Sequence, residues 1–307
     1  MILLTHSEIE TYERQGWKLR NKLQLMSIIL ALIFAGCSPS TESLIKNLQS
    51  ENSIARTKAA TILMGRRGDP ETTKILISKL DNSDSRTAFI IIQVLGTMAD
   101  TTAIKPLGNV AAKNSNPFIR AAALWSIGSI GNKSGLPFLV EGLKDSMAVV
   151  RHSAVMGIGF LKYPPSAHYL YPMLRDAVDS VRTATVQSIY NYRKIPGSGV
   201  LAADIAIALN DVNPTVRYVA VQALGGGGLG QGFRDSTVAG DLLVDALKDD
   251  NKYVRLEAIV SLKYLRFKKA VPYLKEMFDT ATFDEEYEIT AAIKEMTGEQ
   301  FPPESGK

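Results

Sequence analysis

Asp145-Ser146-Met147-Ala148-Val149-Val150-Arg151-His152-Ser153-Ala154-Val155-Met156-Gly157-Ile158-Gly159 reads as an acidic turn, an aliphatic–arginine pair, and then a helix with small and aliphatic residues at helical spacing. The same arrangement recurs on both sides of it. With the arginine as position zero, seven copies centre on Arg56, Ala88, Arg120, Arg151, Arg182, Arg217 and Arg255, 31 to 38 residues apart. Six residues ahead stand Ser50, Asn82, Asn114, Asp145, Asp176, Asp211 and Asp249. Three residues on, the position is mostly alanine, and seven on it is always Leu or Ile, from Leu63 to Leu262. A period of this length means stacked units, each burying its apolar face against its neighbours.

The columns have a physical sense. Positions −1, +3, +4 and +7 form one stripe of a 3.6-residue helix, the face that buries. Position −4 is Asn52, Asp84, Asn116, Asn213 or Asn251 in five copies, which is helix-capping chemistry. Pro117 and Pro214 follow at the first helical position, where a missing N–H costs nothing. Gly96, Gly128, Gly159 and Gly225 at +8 suit either close helix approach or helix termination. A second apolar helix precedes each turn, at 103–112, 136–143, 167–174, 201–209 and 241–247. A further pair, 271–278 and 285–296, carries Asp284, Glu285, Glu286 and Glu288 and is expected to cap the array with a polar outer face. No stretch has strand periodicity. The fold is therefore all-α, built of helix, acidic turn, helix.

The dipeptides Ile119-Arg120, Val150-Arg151, Val181-Arg182, Val216-Arg217 and Val254-Arg255, with an aspartate six residues ahead in the last four, resemble the HEAT repeat in its short bacterial form, also seen in phycobilisome lyase subunits. The resemblance covers about residues 44–298. It departs where Ala88 replaces the arginine and at insertions around 194–199 and 225–235. It implies a right-handed α-solenoid, an armadillo-like superhelix of about seven HEAT-like helix pairs plus a C-terminal capping pair. It also implies that Asp145, Arg151, Asp176, Arg182, Asp211, Arg217, Asp249 and Arg255 form a structural ladder between units, and that the second helices line the concave side.

Composition narrows the chemistry. A net charge of +4 in 307 residues is too small to argue for nucleic acid without a local basic patch. Three histidines, His6, His152 and His168, leave little for a metal site or a catalytic dyad, so no enzyme and no cofactor are expected. Gly225–Gly232 lacks the lysine and preceding strand of a phosphate-binding loop and reads as an inter-repeat loop. Arg67-Gly68-Asp69 reads as turn chemistry.

The first forty residues stand apart. Arg14, Lys18, Arg20 and Lys22 precede an apolar run, residues 23–34, which ends Phe34-Ala35-Gly36-Cys37. That order describes a secretory signal, and the run is shorter than the ~20 residues that span a bilayer. The ending resembles the bacterial lipobox, with Phe34 where that family prefers Leu. The resemblance implies lipidation of Cys37, the single cysteine. A buried apolar helix and an uncleaved anchor are the competing readings. The resulting organisation is signal peptide 1–36, tether 37–43, solenoid 44–298 and tail 299–307. Ser38 after the cysteine leans to the outer rather than the inner membrane of a bacterial envelope, on the periplasmic side.

Function then rests on the face opposite the buried stripe, assigned to positions +2, +5 and +9. Trp125, Met156 and Phe160 stand there in successive copies, with Gln93, Gln187, Asn191, Gln222 and Tyr264 continuing the row. Exposed aromatic and Met clusters mark partner sites, although a tightly curled array would bury these three as core. The expected role is a monomeric, lipid-anchored interaction scaffold whose concave groove holds an unidentified envelope protein or peptide, with no nucleic acid. The alternative is a lyase or lyase chaperone for a tetrapyrrole-carrying protein.

Overall fold

The computed structural model describes residues 39–80, 83–226, 233 and 235–302. The expected signal peptide, Cys37 and Gly227–Gly232 lie outside the described residues. The chain divides into two compact units, residues 1–59 and 60–307. In the first, helix α1 (Thr41–Leu48) begins three residues ahead of the expected solenoid start, because the Ser40 hydroxyl caps it by accepting the Ser43 N–H at 3.2 Å. Its Leu44, Ile45 and Leu48 are buried. Helix α2 (Ser53–Met64), capped by Asn52, runs across the boundary between units.

The second unit continues with α3 (Pro70–Lys79), α4 (Ser85–Met98), α5 (Ile104–Lys113), α6 (Pro117–Ile130), α7 (Leu136–Gly142), α8 (Ala148–Leu161), α9 (Asp179–Tyr192), α10 (Pro214–Gly225), α11 (Ser236–Ala246), α12 (Lys252–Leu265), α13 (Val271–Phe278) and α14 (Phe283–Thr297). Every described element is helical, and the unit is an α-solenoid. Asp84, Asn116, Asn213 and Asn251 accept N–H groups of the first turns of α4, α6, α10 and α12. Two expected first helices are wound more tightly, as 3₁₀ segments: Pro164–Tyr169 with Tyr171–Arg175, and Ala202–Asn210. In the former, Pro172 removes the N–H donor that an α-helix continuing through residues 167–174 would need. In the latter, the Asp204 carboxylate accepts the Leu201 N–H at 2.7 Å and Asp235 accepts the Ala202 N–H at 2.9 Å, fixing the entry.

The +8 glycines serve close approach rather than termination. A Cβ on Gly96, Gly159 or Gly225 would lie 2.7, 2.8 or 2.0 Å from the hydroxyl of Ser126, Ser188 or Ser261 in the next second helix, and one on Gly128 would lie 2.3 Å from the Gly157 Cα. Those serines donate back across the seam: Ser126 to Ile92 O at 2.9 Å, Ser188 to Val155 O at 3.2 Å and Ser261 to Val221 O at 3.4 Å. The second helices are thus drawn together along their length, while the first helices touch one another sparingly. In a stack of helix pairs, the more closely packed row lies inside the curve.

Two expectations need correction. Position +2 is not fully on the open face: Ser153 and Ala184 are buried, because at 100° per residue +2 lies only about 40° from +6, the seam position. Glu285 does not belong to a polar outer face. It is 2% exposed, caps α14 by accepting the Thr282 N–H at 2.8 Å, and holds Arg255 at 2.8 Å. Among the described residues no helix is long and apolar enough to cross a membrane.

Candidate groove on the second helices

Along the turn end of the unit, each arginine holds two turns at once. The Arg151 fork donates through Nε and Nη2 to Asp176 at 2.7 and 2.8 Å, while Nη1 donates to the backbone oxygen of Asp145, in its own turn, at 2.9 Å. Arg120–Asp145, Arg182–Asp211 and Arg217–Asp249 repeat this geometry at 2.6 to 2.9 Å. Arg255 ends the run on Glu285 in place of an aspartate. The carboxylates also accept the N–H two residues on, as Asp176 does from Val178 at 2.9 Å. The arginine hydrogen bonds hold Asp145, Asp176 and Asp211 below the usual carboxylate range. Burial works against Asp249, but Arg217 and the Asn251 N–H outweigh it and lower it too. These groups are engaged in stacking.

The open face of the second helices is different. Trp125 is 41% exposed, and Phe160 of the next helix packs edge-on against it, centroids 4.8 Å apart at 88°. Met156 and Phe160 are half-buried. Trp125 is therefore a surface residue rather than core. Gln93 and Tyr264 are exposed, and Gln187, Asn191 and Gln222 are half-buried along the same row.

The structure adds residues beside this face that the sequence reading left out. Tyr190, at the +8 position where four other copies have glycine, stacks under the Arg193 guanidinium at 3.7 Å and meets the Phe233 ring at 6.0 Å. Tyr218 donates its hydroxyl to the Glu257 carboxylate at 3.0 Å. Burial raises the Glu257 carboxyl above its ordinary range, with the Tyr218 bond only partly opposing it. The signals were present: a tyrosine breaking a glycine column, and a carboxylate in a +2 column otherwise held by Lys58, Ile90, Ala122, Ser153, Ala184 and Val219.

Other singled-out residues have plain structural roles. Asp69 of Arg67-Gly68-Asp69 caps α3, accepting from Glu71 N and Thr72 N at 3.1 and 3.3 Å, with Gly68 at φ +84°. His152 is half-buried, and burial lowers its pKa. His168 lies exposed against Tyr169, rings 3.9 Å apart.

A family model described as HEAT repeats matches residues 41–128, 104–189 and 202–294. No curated protein matches the sequence. Among solved structures, the Escherichia coli protein YibA is similar at 21% identity and a TM-score of 0.57, over 85% of this chain and 93% of that one. A chain from the structure of Kap95p with RanGDP is similar at 12% identity and a TM-score of 0.54, over 83% of this chain and 41% of that one. The CpcE–CpcF phycocyanin lyase complex from Nostoc sp. PCC7120 is similar at 18% identity and a TM-score of 0.44, over 84% of this chain and 95% of that one.

Proposed function

We propose that this chain, which belongs to the HEAT-repeat family, is a non-catalytic scaffold whose row of second helices holds a segment of another protein. The observation that carries this reading is the Trp125–Phe160 pair. An indole left 41% open and braced edge-on by a neighbouring ring offers a large, rigid apolar contact at low entropic cost, the kind of residue that dominates binding. The amide and hydroxyl groups of Gln93, Gln187, Asn191, Gln222 and Tyr264 extend the row with hydrogen-bonding groups that suit a peptide backbone, where a nucleic acid would call for lysine and arginine. The Cys37 lipobox resemblance places the scaffold on the periplasmic side of a bacterial envelope membrane, with the outer membrane favoured.

A photo-crosslinking residue placed at Ser129, exposed beside Trp125 in the +9 column, tests the scaffold. The expected outcome is a discrete crosslinked partner at 129 that is lost on Trp125→Ala and absent with the crosslinker at Lys105 on α5. Equal crosslinking at 105 and 129 would overturn the reading. The tether has a separate test. A palmitate analogue should label the wild type and not Cys37→Ser, and an unlabelled wild type removes the anchor.

A further inference from the structure

Glu257 is the feature of the groove that the scaffold reading does not use. Its helix α12 carries three cations: Lys252 lies over the Tyr253 ring, 5.0 Å from its centroid, and the other two are held by acids. Arg255 is held by Glu285 at 2.8 Å, and Lys263 by Glu288 at 2.6 Å. Against the Glu257 carboxylate the structure sets a phenol, Tyr218, at 3.0 Å. A half-buried carboxylate with a neutral partner keeps its attraction for a cation, since water screens it only partly. It stands in the column that elsewhere carries Ala122, Ser153 and Ala184, so its presence is not required by stacking.

The distance between this carboxylate and the aromatic pair follows from the fold. Second helices succeed one another in the order α6, α8, α9, α10 and α12. Packed helices lie about 8–10 Å apart, so Phe160 on α8 is three steps, roughly 27 Å, from the helix of Glu257, and Trp125 is four. An extended chain advances about 3.3 Å per residue. Between the two ends lie Gln187, Asn191 and Gln222, groups that can bond a passing backbone on either side.

We infer that the groove takes an extended peptide segment with an aromatic or long aliphatic side chain seated on Trp125 and Phe160, and a lysine or arginine about eight to eleven residues away paired with Glu257. This rests on the scaffold reading and specifies its ligand. The raised carboxyl pKa of Glu257, caused by burial, is in keeping with a group still lacking a cationic partner.

Panning a phage library of random 16-residue peptides against the full chain tests it. The expected result is enrichment of sequences with a bulky apolar residue and a Lys or Arg at that spacing. Against Glu257→Gln the basic preference should vanish while the apolar one stays, and a selected peptide should bind that variant roughly tenfold more weakly, as loss of a charge-assisted bond implies. Enrichment of the apolar residue alone, unaltered by Glu257→Gln, overturns this inference and leaves the scaffold intact. No enrichment, or enrichment untouched by both Trp125→Ala and Phe160→Ala, sinks the scaffold reading as well.

Discussion

Lys162 ends α8 with φ at 47°, and Ala99 and Arg266 end α4 and α12 at 58° and 51°, where Gly131, Gly226 and Gly298 serve the same role elsewhere. A side chain in the left-handed region costs about 1 kcal/mol relative to glycine. Lys162→Gly should therefore stabilise the protein by up to about 1 kcal/mol, read as an increase in denaturant midpoint without change of slope. At this scale the sequence was only partly legible. The identities of Trp125, Met156 and Phe160 drew attention to this face, but whether they stand open or fill a core depends on how far apart neighbouring helices sit, which one chain's column cannot show. The glycine and serine seam sets that separation, and it leaves the indole 41% open. Trp125→Ala should cost under about 1 kcal/mol, and Phe160→Ala, half-buried, about 1–3. Thermal melts of the two variants check the order.

At the scale of the element, the helix pair was the most legible part. The capping residues, the apolar stripe and the aspartate–arginine spacing all survive into the structure, because each is local chemistry repeated many times. What the columns missed is where elements meet. The 3₁₀ winding of Pro164–Tyr169 and Ala202–Asn210 depends on several residues acting together, and the Gly–Ser seam is legible only when two copies are set side by side. Gly159→Val should push α8 and α9 apart and break the Ser188–Val155 hydrogen bond, at a cost of about 1–3 kcal/mol. Arg182→Ala should cost about 3 kcal/mol, since it leaves the Asp211 charge largely buried without its cation. A solenoid senses such a loss locally, so hydrogen exchange should quicken in α9 and α10 well before α14.

Over the whole molecule the ladder sets the response to acid. The unfolded aspartates titrate near 3.9, and the folded ones lie lower because the arginines favour the charged form. Their contribution to stability is complete above the unfolded value and is lost as pH falls through the folded values, so the denaturant midpoint should hold between pH 7 and 5 and fall steeply below about 4. The ladder also has a gap. Ala88 stands where other copies have arginine and Asn114 where the last four have aspartate, and between α4 and α5 that site is a cavity of about 390 Å³ lined by Ser83, Ala88, Asn109, Lys113 and Asn114 among others. The double substitution Ala88→Arg with Asn114→Asp should extend the ladder by one rung and slow hydrogen exchange in α3 and α4. Faster exchange in those helices would show that the gap is itself well packed.

The placement of the charge pairs has a mechanical consequence. They lie along the turn end of the repeats, each arginine gripping its own turn and the next, whereas the far halves of the second helices are joined by close packing and neutral hydrogen bonds, as where the Tyr192 hydroxyl donates to Ile158 O at 2.6 Å. The stack is therefore bound along one edge by a spine of ion pairs and along the other chiefly by close contact. Phe160, Tyr190 and Tyr264 sit toward that second edge. The two edges answer to different insults: acid that protonates the aspartates loosens the spine, while the Gly–Ser seam, which carries no charge, yields only to a larger side chain wedged into it.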